Sequence, residues 1–545
     1  MFFGDCDLQK NKLFSTRSAI CFFIVLLLLL SCALRVVVVA TGNYNLLQEE
    51  QASYTIEIVQ NRGAIYDCNM VPITNSKSKI IAAVSPNERS IDAIKRVLNA
   101  NDFDKVIKTL NENKPVVCEV DKDILCAGIA TTTVYERYSD NYVACHLIGY
   151  VDENGHGVSG LELAYDDILY SDKYLTAKFA CDGKGNVLKG IEPKFENDVS
   201  NGACCVVSTI DINIQNIVEK EIANMNSGCV IVAEVENSKI RAMASAPKFD
   251  VNNIYASLND LNSPMINRAL YTYNVGSVFK PCVAASVLES KLSDLTFNCE
   301  GSVEIGNQRF RCHNLEGHGN MNLCSSLAKS CNCFFYNCAI ILGGEEMYKK
   351  AAMLSLNGKI KIADNLYTKA GSLPQKDELL NAGAIANMSI GQGKMMASPI
   401  AMLNLYVAIA GNGSYFVPSV VEETIKHGKK NAYNIGNPTK IMESDTAQTL
   451  REYLKTVITD GTGSDASPTG VTAAGKTATA QTGRYYEDKT EITNSWFCGF
   501  FPADNPKYAV VVMSDSKLKV STASVFAKIA DAVAEYKGIN GKNND

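Results

Sequence analysis

The sequence predicts an α+β protein: an antiparallel sheet covered by helices, carried on a mixed α/β domain and tethered by one membrane helix. Three patterns carry this. Strand pairs bracket the C-terminal part, at 229–244 and 496–513, and helix-period apolar stretches lie between and after them. An apolar run near the N-terminus is long enough to cross a bilayer. The 545 residues imply two or three domains, and 46% hydrophobic against 20% charged residues supports folded cores rather than disorder. A net charge of −6 gives no basic footprint, which excludes nucleic acid as a partner.

The anchor comes first. From Ala19 to Leu34 only Ser31 is polar, and after Arg35 the run resumes to Ala40. Residues 18–40 cover about 34 Å as a helix, enough for a hydrocarbon core of ~30 Å. Lys10, Lys12 and Arg17 precede the run and Glu49 and Glu50 follow it, so residues 1–17 are expected in the cytoplasm and the rest outside. Two other readings of such a start are a cleaved signal peptide and, from Leu29-Leu30-Ser31-Cys32, a lipoprotein site. The apolar stretch continues past Cys32, where a lipoprotein would turn polar.

Residues 41–205 read as a pedestal or dimerisation-like domain. Tyr54, Ile56 and Ile58, then Ile80, Ile81 and Ala83, suit strands, whereas Ile91, Ile94, Val97, Leu98, Val106 and Leu110 follow a helical period over 88–113. The polar stretch 196–202 sets the boundary near 205. Residues 206–545 form the second domain, opening and closing on the hairpins already described.

Ser277-Val-Phe-Lys280 places a hydroxyl and an amine three residues apart, on one face of a helix. That is an arrangement for an activated nucleophile. Ser76, Ser245, Ser326, Ser514 and Ser516 also have Lys three residues on, so context must choose. Ser277 follows Gly276 and precedes Pro281 and an apolar helix, which puts it at a helix start, where free amides favour developing negative charge. Ser330-Cys331-Asn332 lies 53 residues further on and Lys476-Thr477-Ala478-Thr479 another 146, just before the last strand pair.

This ordered set is the signature of serine β-lactamases and penicillin-binding proteins, and the chain resembles a class B penicillin-binding protein, a monofunctional peptidoglycan D,D-transpeptidase of the division or sporulation type. Asn61-Arg62-Gly63, the segment His146 to Val151, Gly157 to Glu162, Ser389-Ile-Gly391-Gln-Gly393 with Ser398-Pro399, and Trp496 to Pro502 are similar to family motifs in the same order. The resemblance implies a penicillin-binding transpeptidase domain over 206–545. It implies that Ser277 attacks the penultimate D-Ala carbonyl of a stem peptide, Lys280 takes its proton and Ser330 relays a proton to the leaving group. Asn332 would hold the substrate amide, and Lys476 with Thr477 the terminal carboxylate. The backbone amides of Ser277 and Thr479 would form the oxyanion hole. Lys476 in the same cleft is expected to push the Lys280 pKa down. Stem peptides ending in D-Ala-D-Ala, β-lactams and a polytopic glycan polymerase are the implied partners, and no cofactor is implied. Other readings are a D,D-carboxypeptidase or β-lactamase on the same fold, and a non-catalytic scaffold or penicillin sensor.

The family has glycine where this chain has Ala478. That methyl is expected to narrow the strand edge along which substrate lies, so that Ala478→Gly would speed acylation by bulky β-lactams. The 19 cysteines show no repeating spacing and read mainly as small buried apolar residues. Cys299, Cys312, His313, His318 and Cys324 have a metal flavour, but the short Cys-x₂₋₄-Cys pairs of zinc sites are missing, so no metal is expected. A Cys299–Cys312 disulfide or free thiols are the alternatives. Packing, rather than redox control, is expected of Cys331 and Cys333, and a structural role of His146 and His156.

Overall fold

The structure is a computed structural model that describes residues 5–41, 53–98, 102–197, 204–290 and 292–539. Glu49 and Glu50, and residues 198–203 beside the expected boundary, lie outside the described residues. A helix runs over Asp5–Thr41, a segment without Gly or Pro, and its stretch Thr16–Val38 is long and apolar enough to cross a membrane, with mean hydropathy 2.9 and none of it buried. It starts before the expected residue 18 because nothing in residues 5–17 breaks a helix.

The chain divides into two compact units. The first comprises residues 1–60, 79–134 and 173–198. It carries one three-stranded sheet of Ser53–Arg62, Tyr170–Ala180 and Lys194–Glu196, and another in which Lys77–Val84 lies between Val116–Val120 and Ile129–Glu136. Ala82, Val84, Ile94, Val106, Leu110, Cys118 and Ile129 share a core. The helical period over 88–113 resolves into two helices, Glu88–Ile94 and Phe103–Asn111, the first opened by an Asn87 capping box. The first helix gives way to a turn over residues 95–97 before the described chain breaks off at Leu98.

The second unit comprises residues 61–78, 135–172 and 199–545. Its main sheet has five strands, β1 (Gly228–Glu234), β2 (Ile240–Ala246), β3 (Ala474–Tyr485), β4 (Glu491–Phe501) and β5 (Tyr508–Ser514), in the order β2-β1-β5-β4-β3 and antiparallel throughout. Cys229, Ile231 and Ala233 enter one core while Val230 and Val232 enter another, the alternation of a pleated strand. Both faces are covered, so the strands read as continuous apolar runs. Ile212–Ile222 and Thr522–Lys537 cover one face through Ile214, Val218, Phe526 and Ile529. Lys280–Glu289 and Pro399–Ala410 pack in the core of the other, and every residue of the latter helix is buried. Among the described residues, β3 is an edge strand with β4 as its only neighbour in the sheet.

Residues 61–78 and 135–172, read from the sequence as part of a 41–205 domain, group with the C-terminal unit. Strand Ala64–Tyr66 pairs in parallel with Cys204–Ser208, which pairs antiparallel with Val421–Lys426. The carboxylate of Glu162, fully buried, accepts from Arg62 Nε and Arg137 Nε, each at 2.8 Å, and from the Tyr138 hydroxyl at 2.9 Å. Pairings between segments a hundred or more residues apart leave no trace in a contiguous pattern.

Candidate active site

Ser277 sits in a 3₁₀ turn, Gly276–Phe279, that runs directly into the helix Lys280–Glu289 with Pro281 in its first turn. Gly276 has φ +68°, and a side-chain carbon added there would lie 3.1 Å from the Ala480 methyl and 3.3 Å from that of Ala478. Only glycine suits both constraints. Its N–H donates to Gly391 O at 2.8 Å, and a carbon added at Gly391 would lie 2.2 Å from Gly276 O. The Ser389-to-Gly393 motif thus backs the turn that carries Ser277. Trp496 Nε1 donates to Asn274 O at 2.9 Å and the Tyr406 hydroxyl to Val278 O at 3.0 Å, holding the turn from the sheet and from the buried helix.

Lys280 is fully buried and donates from Nζ to Ser330 O at 2.7 Å, Ser330 Oγ at 3.2 Å and Asn332 Oδ1 at 2.7 Å. Ser330 adopts φ +52°, uncommon for a residue with a side chain. That backbone turns both its carbonyl and its hydroxyl toward one ammonium. Asn332 begins the helix Asn332–Leu342. Burial pushes the Lys280 ammonium down to about 7. Lys476, also fully buried, donates to Thr477 O at 3.2 Å, and its ammonium is driven well below its ordinary value by burial first and by the charge of Lys280 second. Desolvation, rather than the repulsion expected between the two lysines, leads at both. Thr477 Oγ1 meets Thr462 Oγ1 at 2.9 Å, a neighbour with no motif around it in sequence.

Along β3, Lys476, Ala478 and Ala480 are buried on one face, whereas Thr477 is half-buried and Thr479 exposed. The Ala478 methyl therefore packs inward against the turn that carries Ser277, not into the space along the strand edge. This overturns the steric expectation for bulky drugs. Ala478→Gly is expected to change acylation by a small and a bulky β-lactam by the same factor. Ala478→Val should slow both roughly 10–100-fold, through an overpacking cost of ~1–3 kcal/mol that displaces Ser277. Stopped-flow acylation rates decide; a selective gain for the bulky drug in Ala478→Gly would restore the cleft-facing reading.

Among the other serines with Lys three residues on, Ser245 Oγ accepts from Arg268 N, Ser514 Oγ donates to Ser227 O, and Ser326 is fully buried. None of these three shares the Lys280 surroundings. His146 is buried with Nε2 2.6 Å from Pro264 O, and burial pushes its pKa down to about 4. His156 Nδ1 pairs with Asp166 Oδ2 at 2.9 Å.

The cysteines from Cys21 to Cys498 are free, Cys299 and Cys312 included. The expectation of no metal rested on sequence spacing, yet the fold brings the donor atoms of Cys299, Cys312, His318 and Cys331 within 4.8 Å of one another. Cys331, the middle residue of Ser330-Cys331-Asn332, completes the group. Cys324 instead lies 3.6 Å from Thr456 Oγ1.

Residues 228–535 match the penicillin binding protein transpeptidase domain family. Stage V sporulation protein D of Bacillus subtilis (strain 168) is 27% identical over 509 residues, spanning 86% of this chain and 76% of that protein. Peptidoglycan D,D-transpeptidase MrdA of Acinetobacter baumannii is 25% identical over 560 residues, 89% of this chain and 81% of that one. Penicillin-binding protein 3 from Mycobacterium tuberculosis, solved with aztreonam, superposes with a TM-score of 0.65 at 22% identity, over 90% of this chain and 98% of that one.

Proposed function

Because the chain belongs to the penicillin-binding protein transpeptidase family, and within it to the class B proteins, we propose that it crosslinks peptidoglycan stem peptides by D,D-transpeptidation through an acyl-enzyme on Ser277. The observation that carries this reading is the fully buried Lys280, one turn from Ser277, with its Nζ held by Ser330 and Asn332.

Neutral Lys280 takes the Ser277 hydroxyl proton as Oγ attacks the penultimate D-Ala carbonyl. The N–H groups of Ser277 and Thr479 receive the developing oxyanion. Ser330 passes a proton to the departing D-Ala amine, and an acceptor amine from a second stem peptide then attacks the ester and regenerates Ser277. A β-lactam follows the first step but keeps its leaving group attached by the opened ring. The terminal carboxylate lies between Lys476 and Thr477; its charge favours the ammonium form of Lys476 against burial. Because Lys280 must be neutral to act as base, acylation should fall about tenfold per pH unit below an inflection near 7 and level off above it. A flat rate between pH 5 and 8 would remove Lys280 from that role.

The N-terminal helix serves as a single-pass anchor, with Lys10, Lys12 and Arg17 on the cytoplasmic side and the catalytic unit outside. A polytopic glycan polymerase is the partner this arrangement serves. Two measurements test the reading. Purified full-length protein with a stem-peptide donor and an amine acceptor should yield a crosslinked product; hydrolysis alone would make it a carboxypeptidase. A membrane-impermeant fluorescent penicillin should label the protein in intact spheroplasts, and labelling only after lysis would refute the orientation.

A further inference from the structure

We propose that Cys299, Cys312, His318 and Cys331 bind one zinc ion that fastens the Ser330-Cys331-Asn332 segment to the loop region beside it.

The four donor atoms lie within 4.8 Å of one another. His318 Nδ1 is 3.7 Å from Cys299 Sγ and 3.6 Å from Cys312 Sγ. A tetrahedron with Zn–S of about 2.3 Å and Zn–N of about 2.0 Å has S···N edges of about 3.5 Å and S···S edges of about 3.8 Å. The cluster therefore already stands near the spacing that zinc requires. Three sulfurs with one imidazole are a closed structural donor set, with no position left open for a catalytic water. Cys299, Cys312 and Cys331 are buried, whereas His318 is half-buried and gives the ion its way in.

The backbone around the ligands is independently fixed. Cys299 ends strand Phe297–Cys299, whose partner strand Gly319–Met321 begins directly after His318. His318 N donates to Cys299 O at 2.9 Å, and Cys312 N to Gly301 O at 2.8 Å. Asn332 N donates to Cys312 Sγ at 3.4 Å, the kind of outer-shell N–H bond that supports a metal-bound thiolate. Cys331 precedes the helix Asn332–Leu342 and is the one ligand from outside the 299–318 stretch.

The position of Cys331 gives the site its consequence. Its two chain neighbours are the residues that accept from Lys280 Nζ. A metal bond at Cys331 would hold Ser330 in its φ +52° conformation and keep Asn332 Oδ1 on the ammonium. The ion acts as a positioning device for the acylation site and takes no part in the bond-making steps.

Metal analysis of full-length protein, purified in detergent without chelator, should find about one zinc per chain. Stripping the ion with a mercurial and a chelator should slow penicillin acylation roughly 10–100-fold, the usual weight of lost metal-site support, and zinc sulfate should restore it. Cys312→Ser and His318→Ala should lose the metal, while Cys338→Ser, a buried thiol outside the cluster, should keep it. Native protein free of zinc, with Cys299, Cys312 and Cys331 open to iodoacetamide or joined in a disulfide, would overturn the proposal. So would iron in place of zinc, or zinc retained by both ligand variants. Metal stoichiometry is read without any acylation, so its failure is separable from failure of the transpeptidase reading.

Discussion

Ser277→Ala will abolish acylation by labelled penicillin, and peptide mapping of the wild-type adduct will place the label on Ser277 alone. Removing the nucleophile of a serine acyl-transfer site costs on the order of 10⁶ in turnover, because the remaining groups have nothing to activate. The surroundings make the assignment specific. Ser277 alone among the six Ser-x-x-Lys serines lies on a turn held by Gly391, Trp496 and Tyr406, with its lysine fully buried. Substituting Ser245, Ser326 or Ser514 by Ala should leave labelling intact, apart from whatever folding each hydroxyl supports. Label on any of these, or label retained by Ser277→Ala, would sink the assignment.

The second large effect is on stability. Glu162 is fully buried between Arg62 and Arg137, whose side chains are 7% and 15% exposed. Glu162→Ala leaves two guanidinium groups in a cavity, with Asp166, 2.8 Å from Arg62, as the remaining carboxylate. Removing one partner of a buried ion pair costs ~3–5 kcal/mol, because the other charge stays desolvated. Trp496, the sole tryptophan and fully buried in the sheet of the same unit, reports the unfolding transition by fluorescence. The denaturation midpoint of Glu162→Ala should fall sharply and that of Glu162→Gln less, since the amide retains part of the hydrogen bonding. A Glu162→Ala transition within ~0.5 kcal/mol of wild type would show that the arginines rehydrate freely.

Much of the site was legible in the sequence because its chemistry rides on short local motifs. A serine and lysine three residues apart share a helix face whatever lies around them, and an apolar run of membrane length needs no partner to declare itself. The strand pairs at 229–244 and 496–513 announced themselves by continuous apolar runs broken at a polar turn, and they lie side by side in a sheet buried on both faces. Other features needed the fold. Ala478 alternates with exposed Thr479, and only the pairing of β3 with β4 settles which face of the strand turns inward. Thr462 reaches Thr477 from a loop that carries no motif or periodic signal. The segments 61–78 and 135–172 join the C-terminal unit through a parallel strand pair and a buried carboxylate, neither visible in a contiguous window.

By itself the sequence determined the candidate site residues, their order along the chain, the long apolar N-terminal helix and the α+β class. Tertiary structure alone decided that Lys280 and Lys476 are both fully desolvated, that burial rather than mutual repulsion leads in lowering their pKa values, and that Cys331 meets Cys299, Cys312 and His318. The physical reason is the same in each case. Local spacing fixes which side chains share a face, whereas desolvation and multi-ligand geometry depend on segments that approach only when distant parts of the chain close on one another.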